Sequence, residues 1–313
     1  MPGAHSVGWV GTGRMGAAMV RRLLAQGCDV AAFNRTRQKL EPLVAAGAKP
    51  VEAIVELARR DLVFVCVSSS QDLVDVLSSE DGLFSGEAVP SVIVDCSTVS
   101  AEASAQARAL AEARGCAFLA APVSGNPRVV RAGRVTMAVS GPRTAFDEVE
   151  AYLAMLGTSV TYVGEGEVAR LVKLCHNLFL GVVIQALVEV TVLAEKGGVE
   201  RAAFLDFLNK SVMGSLFTTY KTPGLVNLDF TATFTSRLLQ KDFDLGIGTA
   251  RALGVPMPVG ALVHQLLNRL VNEGYAEDDF ATLLLLQATA SALELAADPR
   301  VVSDGLEPAD TAS

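Results

Sequence analysis

Apolar residues fall in short continuous runs along the first half of the chain and recur at three- and four-residue steps along the second. The runs at 6–10, 29–33, 61–67, 91–94 and 116–121 are rich in Val, Ile, Ala and Phe and are bounded by Gly, Asn or Ser, which predicts buried strands. Helical periodicity lies between them, at 14–26, 38–46 leading to 51–60, before 91, and at 101–114. Residues 135–140 and 160–163 read as edge strands flanking a helix at 144–155. Strands alternating with helices predict a doubly wound, mostly parallel sheet, whose ligands sit at the carboxyl ends of the strands.

One unusually long helix is predicted over residues 167–196, with Leu171, Leu174, Leu178, Val182, Leu187 and Val190 among its periodic apolar positions and Gly197-Gly198 as its stop. Such a helix spans roughly 45 Å. It is apolar over much of its circumference, which predicts burial among other helices. Gln185 and Glu189 interrupt the apolar run, and Arg170 and Lys173 stand near its start, so it does not read as a membrane span. Lys173 and Asn177, four residues apart, share one face.

Beyond Gly198 the period is helical at 201–210, 236–253, 259–272 and 278–296, with Ser236 and Asp278 as N-caps and Gly254 and Gly274 as ends. Residues 211–235 read as an irregular segment closing over a pocket, and the polar residues from 298 onward as frayed. The Gly164-Glu165-Gly166 turn marks the domain boundary. It gives an α/β domain at 1–164 and an all-α domain at 165–313 that begins with the long helix. Helical faces as apolar as Leu283 to Leu286 predict burial in a homodimer or a dimer of dimers.

Composition narrows the function classes. The 313 residues are 50% hydrophobic and 19% charged, enough for two packed cores. A net charge of −8 with no basic block argues against nucleic acid as a partner. Five scattered cysteines with no CxxC pair read as apolar core residues of a reducing compartment. No basic segment followed by an apolar one precedes the first strand, so the cytoplasm is the expected address. No His, Cys or carboxylate cluster has metal spacing, and His5 and His264 read as structural.

The first strand runs into Gly11-Thr12-Gly13-Arg14-Met15-Gly16 and then a helix. A GxGxxG between a strand and a helix is the fingerprint of a Rossmann-type dinucleotide site. Gly11 permits the tight turn, Gly13 the approach of a pyrophosphate and Gly16 close packing of helix on strand. An acidic residue at the end of the second strand would accept from ribose hydroxyls; this chain has Asn34-Arg35-Thr36 there. Arg35 can pair with a 2′-phosphate and Thr36 can donate to it, which favours NADPH (NADP+) over NADH. Val67, Ser68, Ser97 and Thr98 close the next strands and read either as further cofactor contacts or as plain turn residues.

These pieces together resemble the β-hydroxyacid dehydrogenase family, which includes 3-hydroxyisobutyrate dehydrogenases and glyoxylate/succinic semialdehyde reductases. GWVGTGRMG at 8–16, DCST at 95–98, APVSGN at 121–126, KLCHN at 173–177 and KDFDLG at 241–246 carry the resemblance, over about residues 6–296. It implies an oxidoreductase in which Ser124 and Gly125 hold a substrate carboxylate and Asn126 stands where the family usually has glycine. Lys173 would be the general acid/base and Asn177 would orient the substrate. Lys241 would lie close to the nicotinamide, with Asp242 beside it. His176 falls where the family often has asparagine; a histidine there either contacts ligand or packs, and packing is the expected role.

The chemistry is consistent with that assignment. Hydride reduction of an aldehyde or ketone builds negative charge on oxygen, which an ammonium group can protonate or stabilise. Burial and a second cation such as Lys241 would lower the pKa of Lys173 from its reference near 10.4 and ease proton exchange near neutral pH. The competing reading for a random helix is a snorkelling lysine. Imine reductases resemble the chain too, but a cationic lysine disfavours an iminium substrate. A decarboxylating phosphogluconate-type enzyme would need a larger helical domain. A non-catalytic NADPH-binding scaffold would have no use for Lys173.

Overall fold

The structure, a computed structural model, describes residues 6–306. The expectations for the first residues, including the structural role of His5, lie outside the described residues, as does the end of the polar tail. The chain separates into two compact units, one ending at Lys173 and the other beginning at Leu174.

The first unit alternates strand and helix in chain order: β1 (Val7–Val10), α1 (Arg14–Ala25), β2 (Val30–Phe33), α2 (Glu41–Val44), β3 (Lys49–Pro50), β4 (Leu62–Val65), α3 (Ser70–Ser78), β5 (Val92–Asp95), α4 (Ala101–Glu112), β6 (Ala117–Ala120), β7 (Val123–Ser124), α5 (Pro127–Arg131), β8 (Val135–Ser140), α6 (Arg143–Leu156) and β9 (Gly157–Gly164). The sheet order is β3-β2-β1-β4-β5-β6-β8-β7, with β9 on β8. The first six strands are parallel and follow the order 3-2-1-4-5-6 of dinucleotide-binding sheets. Every residue of β1, β4 and β5 is buried. A parallel strand covered on both faces needs apolar side chains at successive positions, which is why these strands appear in the sequence as runs. Leu73 and Leu77 of α3 and Ala107 and Ala111 of α4 pack against Val63 and Ile93 on one such face.

Two expectations need correction here. The helix predicted at 38–46 is a 3-10 turn (Arg37–Leu40) followed by the four-residue α2, with Pro42 at its start. Proline has no N–H to continue a preceding helix, so it restarts one instead. Strand β8 is not at an edge: it pairs antiparallel with β6 and β7 and parallel with β9.

The second unit is helical, as expected. Helix α7 (Val168–Lys196) begins in the first unit and continues here, followed by α8 (Arg201–Lys210), α9 (Leu216–Asn227), α10 (Ser236–Ala252), α11 (Pro258–Leu270) and α12 (Leu283–Ala290). Ile184, Leu187 and Val188 of α7 meet Leu205, Leu225, Leu239, Phe243, Leu267 and Phe280 in one core. By length and composition α7 could cross a membrane, and half of its most apolar window is buried inside the protein. The expectation of burial among other helices holds for one side of α7 only, since Phe179 and Leu193 are 69% and 73% exposed and Val190 stands out with them.

Helix α9 occupies the stretch expected to be irregular. It is started by a reciprocal cap in which the Thr218 N–H donates to the Ser215 hydroxyl oxygen and the Ser215 N–H donates to Thr218 Oγ1. The caps of the next helices lie one residue from those expected. Thr235 accepts from Leu238 N–H, and Asp279 from Ala281 N–H. The last helix is shorter than predicted, a 3-10 turn (Phe280–Thr282) and then α12, because the backbone turns over at Ala292 with φ +46°. The described part of the tail is docked rather than frayed. Asn227 Nδ2 donates to the Arg300 carbonyl at 2.9 Å, and Asp304 and Leu306 are buried.

A buried ion pair locks this unit. Lys221 Nζ lies 2.6 Å from Asp279 Oδ1 and 4.1 Å from the Phe280 ring centre, while Asp279 also accepts from Thr233 N–H and Oγ1. Burial alone would push the Asp279 carboxyl up. The charge of Lys221 and the hydrogen bonds outweigh it and hold the carboxyl below its usual value. Its contribution to stability is therefore present above the ordinary carboxylate pKa and lost as pH falls through the lowered one.

Candidate functional site

The glycine loop at the end of β1 is shaped by close backbone approach. Gly11 has φ +92°, and a Cβ there would lie 2.2 Å from the Cys66 carbonyl oxygen; a Cβ on Gly16 would lie 2.1 Å from the Gly11 carbonyl oxygen. Trp9, fully buried, donates its indole N–H to that same Gly11 oxygen at 2.9 Å. Gly13 differs: a Cβ there would meet nothing within 4 Å. It is the N-cap of α1, no side chain caps the helix, and no acidic residue stands in its first turn. Thr12 is 3% exposed, and its hydroxyl oxygen has no hydrogen-bond partner. An open, uncapped helix N-terminus with a spare buried hydroxyl fits the pyrophosphate of a nicotinamide dinucleotide. Arg14 is exposed and Met15 half-buried.

At the end of β2, Asn34 braces this loop. Its Oδ1 accepts from Thr12 N–H at 2.8 Å and its Nδ2 donates to the Thr36 carbonyl at 2.9 Å. Arg35 is 89% exposed and 3.6 Å from Asp72 on α3, and Thr36 is exposed. At the ends of β4 and β5, Val67 is half-buried, Ser68 exposed and Thr98 half-buried. Ser97, expected among the cofactor contacts, is buried with its hydroxyl committed: it donates to Asp95 Oδ1 at 2.6 Å and accepts from Val67 N–H at 2.9 Å. The first unit also holds Ser124, half-buried, and Gly125, at φ +138°. The buried Asn126 accepts from the backbone N–H groups of Arg128 and Val129, so its side-chain oxygen caps α5. Lys173, half-buried, ends this unit.

The second unit brings three more of the expected residues together. Asn177 Nδ2 donates to Asp242 Oδ2 at 2.6 Å, and Lys241 Nζ lies 3.5 Å from Asp242 Oδ1. Asn177 and Asp242 are each 2% exposed. Because Nδ2 faces the carboxylate, Asn177 Oδ1 turns to His176 Nδ1 at 2.9 Å, and that ring nitrogen carries the hydrogen. His176 thus pairs with Asn177 rather than merely packing. His264, read without a partner, bonds Asp244 at 2.7 Å and stacks on Phe243.

Sequence reasoning passed over Arg170 and gave Asp95 no role. The two form a buried ion pair, with Arg170 2% and Asp95 0% exposed. The signal was there, in a cation within an apolar helical stretch and an acid closing an apolar strand. The cysteines divide: burial pushes the Cys66 and Cys116 thiols up to about 12, whereas Cys175 is exposed and is not a core residue. Among the described residues, no group of three or more His, Cys, Asp or Glu side chains could hold a metal ion.

Comparison with known proteins bears on the family and the fold. Residues 6–164 match the family profile described as the NAD binding domain of 6-phosphogluconate dehydrogenase. Residues 164–286 match that of the NAD-binding region of NADP-dependent 3-hydroxyisobutyrate dehydrogenase. The chain is 27% identical to glyoxylate/succinic semialdehyde reductase 2 of Arabidopsis thaliana, over 90% of this chain and 79% of that one. It is 28% identical to an NAD-dependent L-serine dehydrogenase of Pseudomonas aeruginosa, over 88% and 96%. Among solved structures, Psf3 in complex with NADP+ and 2-OPP superposes with a TM-score of 0.81 at 25% identity, covering 90% of this chain and 99% of that one.

The glycine geometry separates folding from binding. Gly13→Ala should leave the melting temperature of the ligand-free protein almost unmoved, while NADP+ at about 100 times its wild-type Kd, worth ~2.7 kcal/mol there, should no longer raise it. Gly11→Ala should instead lower the ligand-free melting temperature. Differential scanning fluorimetry of both variants checks this, and a full NADP+ shift in Gly13→Ala would show that the ligand does not use the open side of the loop.

Proposed function

Because the chain belongs to the β-hydroxyacid dehydrogenase family and is an NAD(P)-dependent oxidoreductase, we propose that it transfers a hydride between NADPH and a small β-hydroxyacid or semialdehyde, with Lys173 as general acid/base. The observation that carries the reading is the Asn177–Asp242–Lys241 set, which begins one helical turn beyond Lys173 on α7. Asp242 fixes the Asn177 amide by accepting one of its N–H groups, leaving the other to donate to a substrate oxygen. The Lys173 ammonium donates a proton as charge builds on the carbonyl oxygen in reduction, and its amine takes one from the alcohol in oxidation. Ser124 and Gly125 would hold the substrate carboxylate. When bound, the nicotinamide supplies or accepts the hydride.

The preference for NADPH is supported by Arg35, whose exposed guanidinium can leave Asp72 for a 2′-phosphate. The exposed apolar line of Phe179, Val190 and Leu193 on α7 supports a homodimer, or a dimer of dimers, as the working form.

Lys173→Ala should lower kcat roughly 10²- to 10⁴-fold while leaving NADP+ affinity near the wild-type value. The assay is NADPH absorbance over a panel of semialdehydes, 3-hydroxy acids and cyclic imines. Turnover of imines alone would favour an imine reductase, and none on any compound a cofactor-binding scaffold. Arg35→Ala should cut kcat/KM with NADPH about 10- to 100-fold, the loss of one charge-assisted pair of ~1.5–3 kcal/mol, and barely touch NADH; equal losses would refute the phosphate reading. Light scattering should give at least twice the chain mass for the wild type and a smaller mass for Phe179→Glu/Leu193→Glu. A monomeric wild type would rule the dimer out.

A further inference from the structure

Helix α7 is held at its start by a dense set of bonds, all within the first unit. Arg170, in its first turn, donates from Nε to Ser104 Oγ at 3.0 Å, from Nη1 to the Ser97 carbonyl at 2.6 Å, and from Nη2 to Asp95 Oδ2. Asp95 closes β5, and its other oxygen accepts from both the Ser97 hydroxyl and the Ser97 N–H. Through the same hydroxyl, which accepts from Val67 N–H, the guanidinium reaches the loop after β4. One side chain therefore ties the turn that carries Lys173 to the ends of β4 and β5 and to α4. Around it, Arg108 donates to Glu167 at 2.7 Å and to the Gly166 carbonyl at 2.8 Å, and Ala169 N–H donates to Ser140 Oγ.

Stability does not explain this arrangement. A fully buried ion pair gains little over well-packed apolar side chains, because desolvating both charges offsets their attraction. What it adds is direction. A planar guanidinium meeting a carboxylate, a carbonyl and a hydroxyl accepts one orientation, whereas an apolar contact tolerates sliding. Three residues on, about 4.5 Å along the axis and on a neighbouring face, stands Lys173.

We propose that Arg170 is a positioning residue for the hydride-transfer reaction: by bonding Asp95, Ser97 and Ser104 it sets the rotation and height of the first turns of α7, and so the place of the Lys173 amine relative to the loops after β4 and β5. This rests on Lys173 being the proton donor. Ser97, expected to touch a cofactor, serves in this role as the link between the two loops.

The test compares wild type, Lys173→Ala and Arg170→Lys on one substrate. A lysine keeps the charge opposite Asp95 but cannot also reach Ser97 and Ser104. Since a displacement near 1 Å can cost about 10²-fold in rate, Arg170→Lys should lower kcat roughly 10- to 100-fold. The KM for NADPH should stay close to wild type, and the kinetic isotope effect with 4-deuterated NADPH should rise as hydride transfer becomes the slow step. Wild-type kcat and isotope effect in Arg170→Lys, with Lys173→Ala inactive, would overturn the positioning role alone. An active Lys173→Ala would overturn the proton-donor reading beneath it. Parallel losses of kcat, NADPH affinity and melting temperature, with an unchanged isotope effect, would mark Arg170 as merely structural. If Arg170→Lys does not fold, Ser104→Ala removes only the Nε acceptor and should give a smaller drop in kcat with the same rise in isotope effect; no change in either overturns the proposal.

Discussion

Two carbonyl oxygens, those of Cys66 and Gly11, leave no room for a side chain at positions 11 and 16. That crowding follows from β1 lying directly beside β4 and from α1 turning back immediately onto the sheet. Any Cβ at either position would force the loop away from the strand ends. The loop then could not present the uncapped first turn of α1 with Gly13 open above it. Trp9 reinforces the turn from beneath through its bond to the Gly11 oxygen and its stack on Phe64 at 5.1 Å. The features of this loop that fit a dinucleotide are thus backbone features together with the spare Thr12 hydroxyl, and the side chains of Trp9 and Asn34 hold that backbone in place.

This division explains what the sequence made legible. Strands buried on both faces announce themselves as apolar runs, and a loop that only glycine can build announces itself by its glycines. The helices of the second unit were readable wherever one face alone is buried, as in α8, α10 and α11. Helix α9 was not, because Thr, Gly and Pro223 depress its local propensity and its reciprocal cap is a Ser–Thr pair. Helix α12 read too long because Leu293, Leu295 and Ala296 continue the apolar pattern of the leucines at 283–286, whereas the chain turns at Ala292. Strand β8 read as an edge because pairing with β6, β7 and β9 depends on partners that no local pattern reveals.

The side-chain bonds of the site lie beyond the reach of local patterns for the same reason. Arg170 and Asp95 are 75 residues apart, Asn177 and Asp242 65, and Lys221 and Asp279 58. A sequence shows that a charge sits in an apolar stretch; it does not show which distant charge answers it. Family resemblance supplied Asn177 and Asp242 as site residues but left their bond to one another unseen. Arg170 belonged to none of the matched motifs and was read only as a charge near the start of the long helix. Ser97, read either as a cofactor contact or as a turn residue, has its hydroxyl bonded within the protein, to Asp95 and to the Val67 N–H.

A consequence for specificity follows from where each half of the chemistry resides. The loop that fits the dinucleotide is enforced by carbonyl oxygens that leave no room for a Cβ at Gly11 and Gly16, so substitutions at those two positions damage the fold before they change the ligand. The Asn177 set is made of side chains, joined by the Asn177–Asp242 hydrogen bond and the Lys241–Asp242 ion pair, and on the proposed reading exchanging one of them would alter recognition while the helices stand. Relatives at 27% and 28% identity bear names with different substrates, glyoxylate or succinic semialdehyde in one and L-serine in the other. The family profiles matched here are nevertheless defined by nucleotide binding. A fold in which backbone fixes the nucleotide loop and side chains define the remaining polar set permits that divergence, because the two can change independently.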